Sequence, residues 1–262
     1  MNARPKKSFG QHFLHEKRYI ERIVSSISPK PADVVVEIGP GEGALTLPLL
    51  AAAGKLTAIE LDTDLIPDLQ ARAAAVGELR IVHSDVLKVD FTALAAELGA
   101  ERLRIAGNLP YYISSPILFH CVEHAAAIQD MHFMLQKEVV DRMAAEPGSK
   151  VYGRLSVMLQ LACQVVPLFT VPPGAFRPPP KVDSAVVRLV PLPAEQRHDA
   201  DPDRVHAIVK AAFAQRRKTL SNALRQLLDA AAIESAGIDP KARAETLAPL
   251  DFVRLAKLPT QV

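Results

Sequence analysis

The sequence predicts an α/β fold: a doubly wound, mostly parallel sheet of seven strands followed by a small C-terminal all-helical domain. Between Asp33 and Phe133, short β-branched apolar runs alternate with segments of helical spacing, the pattern of repeated βαβ units. A glycine-rich segment stands at the first strand-to-helix junction, and helical periods dominate from Arg204 onward.

The strands are expected at DVVVEI (33–38), LTAIE (56–60), LRIVH (79–83), LRIAGN (103–108) and MHFML (131–135). Near-continuous apolar runs of this length suit strands buried on both faces. Helical spacing fills 43–53, 63–76 and 115–127, and two further strands near Val165–Val171 and Ala185–Pro191 complete the sheet. The stretch VPPGAFRPPPKV (171–182) holds too many prolines for a helix or a central strand, so it reads as a stiff, presenting loop. PAEQRHDADPD (193–203) reads as a linker, which sets the first domain at 1–192 and the helical one at 204–262. Helical periods there run Val205–Gln215, Thr219–Ala231 and Glu245–Lys257, broken by GIDP at 237–240.

The chain has 262 residues and 49% hydrophobic content, enough for one substantial core and a smaller second one. Its longest apolar stretch, Leu45 to Gly54, contains Pro48 and is about half the length of a membrane span. The basic start (Arg4, Lys6, Lys7) lacks the apolar core of a secretory signal, so a cytoplasmic protein is expected. Cys121 and Cys163 lie in apolar helical patterns and read as buried thiols; no metal site is expected. The net charge of +2 conceals a division: residues 1–30 carry seven Lys/Arg against two acids and 204–262 ten against five, while the middle is net acidic. A polyanion would meet the two ends, because each phosphate contact needs a local cation; the plainer reading is solvated helix faces.

EIGPGEGALT (37–46) follows the first strand and opens a helix, bringing backbone amides close to a ligand. Gly39, Gly41 and Ala44 satisfy the dinucleotide pattern, and Glu60 lies where a ribose hydroxyl pair is bound in either kind of adenosine cofactor. Glu37 argues for a cationic ligand, since a carboxylate beside the loop repels a pyrophosphate and attracts a sulfonium or ammonium. Asp85, after the third strand, can accept from an adenine amine or cap the following turn.

NLPYYIS (108–114) follows the fourth strand. The Asn108 side-chain oxygen and the Leu109 carbonyl, directed by the fixed backbone angle of Pro110, form an acceptor pair. Such a pair suits an exocyclic adenine amine, whose lone pair is delocalised until its hydrogens are held. Tyr111 offers a ring face on which an extruded base can stack.

These segments, with KSFGQHFL (7–14), GAFRPPPKVDSAVV (174–187), QRRKTLSNAL (215–224) and RAETLAPLDFVRLAK (243–257), resemble in order the ribosomal RNA adenine dimethyltransferase family over nearly the whole chain. The resemblance implies the Rossmann-like methyltransferase form of the sheet, S-adenosylmethionine as methyl donor, and dimethylation of two adjacent adenosines in the 3′-terminal hairpin loop of 16S ribosomal RNA. The implied partner is the small ribosomal subunit or its precursor; no membrane partner is expected, and a monomer is expected because nothing in the sequence demands a dimer. It further implies that His12, Leu14, Gly39, Gly41, Glu60, Asp85, Val86 and Asn108 contact the cofactor. Asn108, Leu109, Pro110 and Tyr111 then hold the target amine, with Phe176 packing on the adenine. Position 12 is histidine where asparagine is common in the family, and both donate a hydrogen bond. Arg216, Arg217, Lys218 and Arg225 suit backbone phosphates near a helix start. The rivals are the large-subunit branch of the same family, a non-catalytic assembly factor on this fold, and a nicotinamide-dependent dehydrogenase. QRRKTLSNAL and PPPKVDS favour the small-subunit branch.

Overall fold

The computed structural model describes residues 12–215 and 217–259. Nine strands are formed among them: β1 Phe13–Leu14, β2 Val35–Ile38, β3 Lys55–Glu60, β4 Glu78–His83, β5 Leu103–Asn108, β6 Ile128–Gln136, β7 Cys163–Val171, β8 Phe176–Arg177 and β9 Ser184–Pro191. Seven of them make one sheet in the order β4-β3-β2-β5-β6-β9-β7. Pairing is parallel from β4 through β6 and antiparallel between β6 and β9, so the mostly parallel, doubly wound sheet is as expected.

The apolar runs become interior strands because both faces are covered: every residue of β2 is buried, whereas the edge strand β4 is largely half-exposed. The chain lays β2, β3 and β4 outward in one direction and then returns to place β5 on the other side of β2. At that reversal the loops diverge and leave a crevice at the carboxyl ends of the strands.

Helix Lys17–Ile27 covers part of this sheet's core: Ile23 and Ile27 are buried and Ile20 and Val24 partly so, a stripe at helical spacing. The unpredicted strands β1 and β8 form a separate antiparallel pair, with Leu14 opposite Phe176. Each is too short to show a period.

The chain divides into two units, one comprising the residues up to Val140 together with Val166–Pro191, the other Asp141–Val165 and the chain from Leu192 onward. Residues 141–165, assigned to the first domain from sequence, therefore belong with the helices. The reason is packing: Tyr152, Val157 and Leu161 share a core cluster with Val205, Ile208 and Phe252. The Tyr152 hydroxyl donates to the Leu247 carbonyl at 2.8 Å. Helix Pro202–Ala214 begins with an Asp201 cap and proline at its first position. The expected helix Thr219–Ala231 is instead two, Leu220–Ala223 and Ala230–Ser235, because the Asp229 side chain accepts from the Ala232 N–H and starts a new one. The last helical segment likewise breaks before Pro249 into a single turn and helix Pro249–Ala256.

No helix among the described residues is long and apolar enough to cross a membrane.

Candidate active site

The crevice at the strand ends is an open cleft whose walls carry His12, Leu14, Gly39, Gly41, Glu60 and Asp85, along with Val86 and the turn Asn108–Tyr111. Residues read from five separate segments thus share one site. Gly39 and Gly41 adopt positive φ of 66° and 57°, backbone that glycine alone takes without strain. A side chain at Gly41 would stand 3.1 Å from the Phe13 ring.

Glu60 ends β3 and is 7% exposed. One carboxylate oxygen accepts from the Gly41 N–H at 3.2 Å and the other from the Asp62 N–H at 2.8 Å. The carboxylate thereby ties the glycine loop to β3 while lining the cleft. Asp85 caps the short turn Val86–Lys88, its Oδ1 accepting from the Leu87 N–H at 3.0 Å, and it also lines the cleft.

Glu37, 1% exposed, is also on the cleft wall, and its Oε2 has no hydrogen-bond partner among the described residues. Burial pushes its carboxyl up to about 8, with the Thr46 hydroxyl opposing and the Glu60 charge adding to the shift. An orphaned carboxyl oxygen at a cleft wall is expensive unless a ligand completes it. A cationic group is the matching partner, which favours the methyl-donor reading over a pyrophosphate.

At the end of β5, the Asn108 amide nitrogen donates to the His12 main-chain carbonyl at 3.0 Å. The His12 ring is itself fixed, with Nδ1 on the Pro178 carbonyl at 2.8 Å and its plane stacked on Tyr111 at 5.6 Å. Leu109 is held by its N–H to the Met134 carbonyl at 3.1 Å, and the turn closes from the Ile113 N–H to the Pro110 carbonyl at 3.2 Å. The Tyr111 hydroxyl meets Ser184 Oγ at 2.7 Å, and burial raises its pKa, so the phenol stays protonated.

Phe176 departs from the sequence reading. At 2% exposure it lies in the core cluster with Leu14, Val171 and Val186. It is not among the residues of the cleft wall, and at this burial it has no open face for a base. Arg217, Lys218 and Arg225 are exposed in the second unit, and Arg216 lies outside the described residues. Sequence reasoning missed Leu61, Asp62 and Tyr112, all on the cleft wall. The signal was available for Tyr112, the second aromatic of the NLPYY run, and for Asp62, an acid two residues after Glu60.

A family described as ribosomal RNA adenine dimethylase matches residues 2–261. A ribosomal RNA small subunit methyltransferase A of Xanthomonas campestris pv. campestris (strain B100) is 60% identical over 257 residues, covering 98% of this chain and 97% of that one. Among solved structures, a dimethyladenosine transferase from Plasmodium falciparum is similar with a TM-score of 0.80 at 27% identity, over 93% of this chain and 96% of that one. The 23S rRNA methyltransferase ErmE follows at a TM-score of 0.72 and 27% identity, over 94% and 98% of the two chains. With a match of that extent and a cleft built as described, the chain belongs to the ribosomal RNA adenine dimethylase family.

Proposed function

We propose that this chain transfers methyl groups from S-adenosylmethionine to N6 of two adjacent adenosines in the 3′-terminal hairpin loop of 16S ribosomal RNA, acting in the cytoplasm on the small subunit during its assembly. The observation that carries the reading is the Asn108 amide, whose nitrogen is committed to the His12 carbonyl. Its Oδ1 is thereby left to accept from a donor in the cleft, beside the Leu109 carbonyl. The naming of the 60% identical relatives supports the small subunit over the large one.

S-adenosylmethionine supplies, when bound, an electrophilic methyl on a positive sulfur. The residues present fit it: Glu60 suits the ribose hydroxyls, Asp85 the adenine amine, and Val86 and Leu61 the flat apolar ring. Glu37 brings negative charge to the cationic end, with His12 and Leu14 closing the wall and Gly39 and Gly41 admitting close backbone approach. Asn108 Oδ1 and the Leu109 carbonyl take the two N6 hydrogens, drawing the nitrogen toward a pyramidal form with its lone pair exposed. No strong base is needed, because the gain comes from orientation and fixed dipoles. Tyr111, backed by His12 on one side, presents its other face to the extruded base. Arg217, Lys218 and Arg225, all exposed, suit RNA phosphates, as does Arg216 by its sequence position.

The test is incubation of the protein with labelled methyl donor and small ribosomal subunits from a strain lacking the modification, followed by nucleoside analysis. The expected product is labelled N6,N6-dimethyladenosine in 16S RNA; label in any other nucleoside, or none, would refute the assignment.

A further inference from the structure

Two tyrosines stand side by side in the catalytic turn and are treated oppositely by the fold. Tyr111 is half-buried, with its hydroxyl on Ser184 and its ring on His12. Tyr112 is 62% exposed, yet it lines the same cleft. Its backbone is held on both sides, by the turn from Pro110 to Ile113 and by the Ser114 hydroxyl donating to the Tyr111 carbonyl. The ring is therefore presented outward from a fixed base.

The surroundings of that ring suit a polyanionic ligand. The segment 177–183 is tied to the same turn, since the Pro178 carbonyl accepts from His12 and Ser184 follows directly. It carries Arg177 and Lys181, both exposed. An exposed aromatic on a cleft wall with cations on the adjoining segment is the pattern by which proteins hold single-stranded nucleic acid: bases stack on rings while phosphates meet charges. A lone exposed apolar side chain needs no explanation. One anchored at the mouth of a base-accepting cleft, next to a ring already committed, has a role to fill.

Resting on the function proposed above, we infer that Tyr112 is the stacking platform for the nucleotide next to the adenosine in the pocket, with Arg177 and Lys181 on phosphates of the same strand. Because the two target adenosines are adjacent, the base on Tyr112 is in one binding mode the second adenosine awaiting its turn. Tyr112 is thus a positioning residue that couples the two modifications.

The test compares wild type, Y112A, Y112F and Y112W on small ribosomal subunits lacking the modification, with fragment mass mapping of both adenosines and calorimetric titration of S-adenosylmethionine. Y112A is expected to raise KM for the particle about tenfold and to change kcat less than about twofold, as loss of one base stack should. It should also enrich particles modified at only one adenosine, leave the donor's Kd and the melting temperature at wild-type values, and be rescued by Y112F and Y112W. Wild-type KM and product distribution in Y112A overturn the inference, as does Y112F failing like Y112A, which would assign the effect to the hydroxyl. A donor Kd weakened in step with KM overturns it too, by placing Tyr112 in the cofactor site. An inert wild type refutes the proposed function itself; an active wild type with an unaffected Y112A refutes this inference alone.

Discussion

The Asn108 side-chain amide donates to the main-chain carbonyl of His12, 96 positions earlier in the chain, at 3.0 Å. A carbonyl accepts only from the NH2 end of the amide, so this bond decides which way the planar group is turned. His12 is in turn fixed by Pro178 and Tyr111. The acceptor offered to a substrate is set by a chain of contacts whose members are remote in sequence.

Asn108→Ala should lose methylation by roughly 10²–10³-fold in kcat, the scale seen when one oriented polar group at a reacting centre is removed. Particle binding should be retained, because the exposed cations are untouched. Asn108→Asp should also fail, since a carboxylate cannot donate to the His12 carbonyl and would be repelled by it. Single-turnover kinetics with a filter-binding control measures both quantities; substantial activity in Asn108→Ala would sink the acceptor role, and substantial activity in Asn108→Asp would sink the need for the orienting bond to His12.

Glu60 ties the glycine loop to β3 and, on the proposed function, also meets the ligand, so its replacement should act twice. Glu60→Ala strips acceptors from the Gly41 and Asp62 N–H groups and removes the partner expected for the ribose. Hydrogen bonds to a charged group contribute about 1.5–3 kcal/mol, so the donor's Kd should rise roughly 10- to 100-fold. Glu60→Gln should fall between, keeping one acceptor while turning an NH2 toward a backbone N–H. Calorimetric titration decides; unchanged affinity in both variants removes Glu60 from the site.

Glu37 should make the ligand-free protein sensitive to pH. Its folded-state value of about 8 stands above the ordinary 4.5, so between those values the folded chain binds the extra proton. Stability from this carboxyl is complete below the lower value and is lost as pH rises through the upper one. Glu37→Gln, neutral throughout, should flatten that part of the profile of melting temperature against pH. A cationic ligand favours the ionised form, so wild-type affinity for S-adenosylmethionine should strengthen as pH rises toward about 8, with release of a proton, and the Gln variant should show neither effect. Melting curves of the two proteins that run parallel across this range would contradict the account.

The parallel sheet and the end of it that carries the cleft were legible because both follow from local pattern. Interior strands such as Val35–Ile38 must be apolar on both faces, and Gly39, Glu60, Asp85 and Asn108 each sit at or just beyond the carboxyl end of a strand. What escaped depends on contacts distant in sequence. Helix Lys17–Ile27 hides its Ile23 and Ile27 stripe behind Lys17, Arg18 and Arg22, and so reads as part of a basic end. The burial of Phe176 is created by its pairing with Leu14, which nothing near either residue announces. Residues 141–165 change partner without any change in composition, so the boundary at Asp141 is visible only in the packing.

Arg104 offers the sharpest separation of stability from activity, because it shares β5 with Asn108 but lies near the strand's other end. Its guanidinium makes two hydrogen bonds to Asp130, at 2.9 and 2.8 Å, and reaches Asp33 Oδ2 and the Ile27 carbonyl at 2.7 Å each. Asp130 is 2% exposed, and its other cationic neighbour, Arg188, is partly exposed and 3.7 Å away, so removing the Arg104 cation leaves a buried carboxylate poorly compensated. Arg104→Met should therefore cost about 3–5 kcal/mol of unfolding free energy, the usual penalty for breaking a buried pair from one side. Arg104→Lys should recover only part, since one ammonium cannot span acceptors in those directions. Adding Asp130→Leu to the Met variant should restore much of the loss, because removing both charges abolishes the uncompensated one. Urea unfolding measures all three, and affinity for S-adenosylmethionine below the transition should stay at the wild-type value. A double variant less stable than Arg104→Met would show that the cluster holds the strands together by more than charge compensation, and wild-type stability in Arg104→Met would remove the cluster from the list of what holds β5 in place.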